Sequence, residues 1–170
     1  MKLLIVVDMQ RDFIDGCLGT KEAQAIVPRV KKKVEEYGNG YVIFTRDTHG
    51  ADYLDTSEGK HLPVKHCIEG TPGWLICDEL YNGVGYHIIN KQSFGYTGWG
   101  DLELDETFDS VEIVGLCTDI CVVSNALILK ALYPELELIV DASCCAGSTP
   151  EAHAAALKTM RSCQINVIGG

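Results

Sequence analysis

Short apolar runs recur along the chain, separated by amphipathic or polar stretches. LLIVV (residues 3–7), YVIF (41–44), YHII (86–89), VEIVG (111–115), LELIV (centred on 137–140) and INVI (165–168) are too short for helices and largely apolar on both sets of alternating positions. They predict six strands buried on both faces. Between them, residues 23–37, 119–132 and 150–162 carry helical periodicity. The last of these opens with Ser148, Thr149, Pro150 and Glu151, where Ser148 and Glu151 have capping-box spacing and Pro150 falls in the first turn. Buried strands alternating with helices predict the α/β class: a doubly wound, mainly parallel six-stranded sheet with helices on both faces, formed as a single domain by residues 1–170. In such sheets ligands bind beyond the carboxyl ends of the strands.

Residues 49–82 break the alternation, with Gly, Pro, His and acidic residues and only a short helical hint at 73–80. A long irregular segment in a compact domain is more often functional than idle. The remainder of the 170 residues shows no repeat, low-complexity tract or linker, and the length is enough to bury roughly 70% of the unfolded surface. Fourteen Lys and Arg against 24 Asp and Glu give a net charge of −10, which repels phosphate backbones and anionic lipid and argues against nucleic-acid or membrane partners. The apolar run at 3–7 is cut short by Asp8 with no small-residue cleavage site, so it reads as a first strand rather than a leader. Eight cysteines are scattered through a sequence rich in core-forming residues, the pattern of reduced thiols and a cytoplasmic location. Six of them, Cys17, Cys67, Cys77, Cys144, Cys145 and Cys163, are expected to be buried or half-buried.

Chemistry gathers at the predicted strand ends. Strand one ends in Asp8, strand two in Asp47 and His49, strand three in Lys91, and strand four in the turn from Cys117 to Cys121. Each alone has a plain structural explanation: a turn cap for Asp8, a solvated strand end for Lys91, a buried helix residue for Cys121. At four strand ends of one sheet they converge on the crevice where this architecture places ligands. A free thiol, with a pKa near 8.5, is mostly protonated at pH 7 and needs a base, a cation or a helix N-terminus to react. Cys121 falls in the first turn of the helix at 119–132, and Asp8 and Lys91 offer a base and its counter-ion.

The segments IVVDMQRDF, FTRDTH, HCIEGTPG, INKQSF and GLCTDICV, in this order, resemble the cysteine hydrolases of the isochorismatase-like superfamily, and among them the nicotinamidases. The resemblance implies a Rossmann-like fold with an Asp8–Lys91–Cys121 triad. It makes Cys121 the nucleophile, leaves the Cys117 side chain aside, and assigns an oxyanion hole to the backbone N–H groups of Cys117 and Cys121, with a cis peptide between Leu116 and Cys117. It further implies hydrolysis of nicotinamide to nicotinate and ammonia, part of NAD salvage, and homo-oligomeric assembly.

Asp47 and His49, two apart in an extended segment, present an oxygen and an imidazole on one face, a donor pair suited to Zn, Fe or Mn. By the resemblance, Asp47, His49 and His66 match the nicotinamidase metal ligands and Glu58 an acidic fourth ligand, implying one divalent ion, Zn first; His61 is the fallback. Phe13 matches a substrate-stacking position, and Phe94 stands where a tyrosine is common. Leu62 and one extra residue in HLPVKH also depart from the family pattern, which bears on pocket shape and leaves another small amide, a carbamoyl or a ureido compound as the alternative substrate. Trp74, Tyr96 and Trp99 are core residues first and pocket residues second, and His87 and His153 are structural. Two rivals from other classes are an acidic flavodoxin-like electron carrier and a non-catalytic metal-binding domain. The first is opposed by DMQRDFIDG after strand one, which lacks the hydroxyl- and glycine-rich phosphate loop. The second leaves the triad without a purpose.

Overall fold

Strands β1 (Lys2–Val7), β2 (Val42–Asp47), β3 (His87–Lys91), β4 (Ser110–Leu116), β5 (Glu137–Ala146) and β6 (Asn166–Ile168) form one sheet in the order β3-β2-β1-β4-β5-β6. Every pairing is parallel. The computed structural model describes residues 1–38, 41–81 and 86–170; Asn82, the last residue of the irregular stretch, lies outside them. Helices are α1 (Arg11–Ile14), α2 (Lys21–Tyr37), α3 (Ser57–His61), α4 (Leu104–Thr107), α5 (Val123–Leu132) and α6 (Pro150–Ser162).

Alternation along β1 explains the layers. Leu3, Ile5 and Val7 face α5 and α6 with Val122, Leu129, Leu157 and Met160, while Leu4 and Val6 face α2 with Ile26, Val27, Val30 and Val34. The buried positions of α2 follow the 3.6-residue period, and Thr20 caps it by accepting from Ala23 N–H, so it begins at Lys21 rather than at residue 23. Lys33 reaches under this helix to Glu112 Oε1 at 2.6 Å and Asp141 Oδ2 at 2.8 Å, and Tyr37 donates to Glu112 Oε2 at 2.6 Å, which satisfies two carboxylates inside the sheet.

Several expectations are corrected. The cap of α6 is Thr149, which accepts from Ala152 N–H; Ser148 instead donates its N–H and hydroxyl to Asp119 at 2.7 and 2.6 Å. The helix expected from residue 119 opens as a wide π turn, Thr118–Val122, before α5 begins. Residues 73–80 hold only a short 3-10 turn, Pro72–Trp74. Strand β5 runs on to Ala146 and buries Cys144 and Cys145, whereas Cys17, after α1, and Cys163, past the end of α6, are exposed, contrary to expectation. Cys67 is buried, Cys77 half-buried, and all eight cysteines are free.

Strands β1 and β4 lie side by side where the strand order reverses, the switch point at which this sheet type binds ligands. Gly115 lets them close up: its φ is +118°, and a Cβ there would stand 2.1 Å from the Val7 carbonyl oxygen. The chain leaving β4 therefore passes directly beside the chain leaving β1. Among the described residues no helix is long and apolar enough to cross a membrane.

Candidate active site and metal centre

β1 ends at Val7, and Asp8 takes a left-handed backbone conformation with φ of 47°, which short polar side chains tolerate better than most. Its carboxylate is fully buried, accepts from Thr45 Oγ1 at 2.6 Å through Oδ1, and lies 2.6 Å from Lys91 Nζ through Oδ2. Lys91 closes β3 in register with Asp47 of β2. Its ammonium also donates to Ser93 O at 3.2 Å and to Cys121 Sγ at 3.4 Å, and sits 3.5 Å from Asp47 Oδ1. Asp8, Lys91 and Cys121 are thus brought into one buried group.

Burial and the nearby Asp8 carboxylate push the Cys121 thiol well above its ordinary value, and Lys91 only partly opposes them. Burial also raises Asp8, again against the pull of Lys91. Burial works against the Lys91 ammonium, but Asp8, Cys121 and Asp47 outweigh it and raise Lys91 further. These directions describe a protonated thiol beside the Asp8–Lys91 ion pair.

The Leu116–Cys117 peptide is cis, as the resemblance implies. The Cys117 carbonyl accepts from the N–H groups of Ile120 at 3.1 Å and Val122 at 3.0 Å, on either side of Cys121. Burial pushes the Cys117 thiol up to about 12, the same direction as for Cys121; what sets Cys121 apart is the hydrogen bond its sulfur takes from Lys91.

Asp47, His49, Glu58 and His66 also converge, with donor atoms all within 4.8 Å of one another. His49 Nε2 lies 2.9 Å from Asp47 Oδ2 and 3.6 Å from Glu58 Oε1, and His66 Nε2 is 3.6 Å from both of these oxygens. Donors around a tetrahedral ion with bonds of about 2.0–2.2 Å stand roughly 3.3–3.6 Å apart, close to this spacing. His66 turns its other ring nitrogen to the Val64 carbonyl at 2.8 Å, the arrangement that fixes an imidazole for ligation. Asp47 Oδ2 faces both imidazoles, while its Oδ1 makes no hydrogen bond and lies 3.5 Å from Lys91 Nζ. The donor set therefore fits a divalent cation. His61 is not among the clustered donors; it is exposed, with Nδ1 2.8 Å from Ser57 O, and lines the same cavity.

Burial disfavours the His66 imidazolium, but Asp47, Glu58 and the Val64 carbonyl outweigh it and raise its pKa to about 10. A metal must displace that proton. Zinc affinity is accordingly expected to rise by about tenfold per pH unit between pH 6 and 9, with proton release measurable in weakly buffered titrations; a flat profile would show that His66 is already neutral in the metal-free protein over this range.

A cavity of about 840 Å³ joins the two groups, lined by Cys121 and Cys117 and by Asp47, His49, Glu58 and His66. Phe13 and Phe94 are on its wall; Phe13 packs on His66 at 5.5 Å between ring centroids, while Phe94 is largely exposed at the mouth. Trp74, Tyr96 and Trp99 do not line it. Trp99 is buried and donates to Asn125 Oδ1, and Trp74 stacks under Arg46, whose guanidinium carbon lies 3.7 Å from its ring centroid. Asn125, missed in the sequence, ties the Cys121 carbonyl at 2.7 Å to the Phe94 carbonyl at 3.1 Å, and only its buried place on α5 reveals it.

Three known proteins bear on this arrangement. The nicotinamidase of Schizosaccharomyces pombe is 28% identical over 97% of this chain and 91% of its own length. An Arabidopsis thaliana protein described as a probable inactive nicotinamidase is 30% identical over 93% of this chain and 87% of its own. The crystal structure of the pyrazinamidase of Pyrococcus horikoshii in complex with zinc superposes with a TM-score of 0.84 at 28% identity, covering 99% of both chains. Residues 2–170 match the isochorismatase domain family, and the chain belongs to it, resembling its nicotinamidase members.

Proposed function

We propose that the protein is a metal-containing amidohydrolase that converts nicotinamide to nicotinate and ammonia with Cys121 as nucleophile. The observation that carries this is the single cavity lined at once by Cys121 and by all four clustered donors, Asp47, His49, Glu58 and His66.

Asp8 accepts the Cys121 proton as sulfur attacks the carboxamide carbon, and the N–H groups of Cys117 and Cys121 receive the oxyanion. Collapse of the adduct breaks the C–N bond, and Asp8 returns the proton to the departing ammonia. The resulting thioester is hydrolysed by a water that Asp8 deprotonates; the carboxylic acid leaves and the thiol recovers its proton. Lys91 keeps Asp8 ionised before each transfer. Asp47, His49, Glu58 and His66 would hold one divalent ion, Zn first, which when bound offers an anchor for the ring nitrogen. Phe13 and Phe94 supply apolar surface for the ring.

The rival substrate class, a carbamoyl or ureido compound, fits less well with walls formed by Phe13, Leu18, Leu62, Phe94 and Ile120. Zinc-loaded protein is expected to release ammonia from nicotinamide and to lose that release on chelation. Absence of release from folded, zinc-loaded protein, with release from a ureido compound, would move the activity to the rival class.

A further inference from the structure

The segment that supplies Asp8 also reaches both stretches that carry the clustered donors, through two side chains with no part in the chemistry above. Gln10 is fully buried; its Oε1 accepts from Asp47 N–H at 2.8 Å, and its Nε2 donates to the carbonyls of Asp47 and Trp74, each at 2.9 Å. One amide side chain thus pairs with both backbone groups of Asp47, as a neighbouring strand would. Asp12 Oδ2 accepts from the N–H of Cys67, the residue after His66, at 2.8 Å. Gly73 leaves room for it: a Cβ there would lie 2.2 Å from the Asp12 carboxylate. The same segment is fastened to residues 75–77 by Arg11 N–H to Leu75 O at 3.0 Å and Cys77 N–H to Met9 O at 2.9 Å.

Asp47 ends β2 and His66 lies in an irregular segment 19 residues on; one short backbone bridge joins the two stretches, His49 N–H to Cys67 O at 3.0 Å and Glu69 N–H to His49 O at 2.9 Å, and Gln10 and Asp12 add a side-chain tie to each. We propose that Gln10 and Asp12 are positioning residues that hold Asp47 and His66 at ligating separation, an inference that rests on the metal reading given above. They act through backbone groups and touch neither the substrate nor the ion.

Zinc dissociation constants of the full chain, measured by competition with a chromophoric chelator, test this. Gln10→Met, Asp12→Ala and Gly73→Ala are each expected to weaken zinc binding by about 10- to 100-fold. Asp12→Asn, which keeps an acceptor for Cys67 N–H, stays within about threefold of the parent on the same scale. Gln10→Glu keeps the acceptor for Asp47 N–H but loses both donations; it provides the second measurement should Gln10→Met fail to fold, with the same direction expected. In metal-free protein, the alkylation rate of Cys121 by iodoacetamide is expected to match the parent for Asp12→Ala and Gly73→Ala, and the melting temperature to fall by no more than about 2–4 °C. Unchanged zinc binding in the Gln10 variants, or in both Asp12→Ala and Gly73→Ala, would overturn the proposal. So would weakened binding with an equal disturbance of alkylation or a larger fall in melting temperature, since that marks general loosening. Failure of the parent itself to bind zinc would remove the metal reading as well.

Discussion

Cys121→Ala is expected to reduce ammonia release from nicotinamide by roughly four to six orders of magnitude, the usual consequence of deleting a covalent nucleophile. The expectation rests on the surroundings of the sulfur: Cys121 is buried beside Lys91, which donates to it, and beside Asn125, whose amide holds its carbonyl. The Ala variant should bind zinc as the parent does, because Cys121 is not among the four clustered donors. Turnover within tenfold of the parent would refute the thioester route. The pH profile adds a check. Burial raises Asp8, and the reaction needs Asp8 ionised, so the acid limb of kcat/KM should fall above the free aspartate value of about 3.9. An acid limb at or below that value would show that the pairing with Lys91 outweighs burial at Asp8.

Lys91→Met is expected to cost about 3–5 kcal/mol of stability near neutrality, because it leaves the Asp8 carboxylate buried without its cation. Asp8→Asn in the same chain should restore much of the loss, since it removes the unpaired charge. The sign with pH follows from the directions of the shifts. In the parent, Lys91 is raised, so its contribution is complete below the free lysine value of about 10.4 and is lost only as pH rises through its folded value. In Lys91→Met, Asp8 is raised further. The folded state then binds more protons than the unfolded state above about pH 3.9, and stability falls as pH rises from there until Asp8 ionises. The deficit against the parent should therefore be smallest near pH 4. Denaturant unfolding of the single and double variants across pH 4–8 measures this; a pH-independent deficit, or no recovery in the double variant, would show that Lys91 acts there by packing alone.

The sheet and the convergence of Asp8, Lys91 and Cys121 were legible because both follow from rules with little slack. Strands apolar on both faces require helices on both sides, and a doubly wound sheet collects its chemistry at the carboxyl ends, so Asp8, Lys91 and Cys121 could be placed together from sequence alone. Glu58 and His66 were legible only through family likeness, since α3 and the irregular segment after it carry no periodic signal. The α6 cap was misassigned because Ser148 and Thr149 are both good caps, and what decides between them is Asp119, 29 residues earlier in the chain, which takes both donors of Ser148. Gln10, Asp12 and Asn125 stayed hidden for a similar reason: apart from the Cys121 carbonyl four residues before Asn125, their partners named above are 26 to 64 residues away, beyond any local pattern.

The strand order also fixes when the parts of the site come together during synthesis on the ribosome. Chain growth delivers β1, β2 and β3 first, and with them Asp8, the four clustered donors and Lys91. The other edge of β1 has no neighbour until β4 emerges, with Cys117 and Cys121 directly behind it. Cys121 is thus the last of these residues to arrive, and a nascent chain that stops after β3 carries the buried charges and an unpaired strand edge that is apolar from Leu3 to Val7. Until β4 docks, that edge is the part of the chain most in need of protection from other strands.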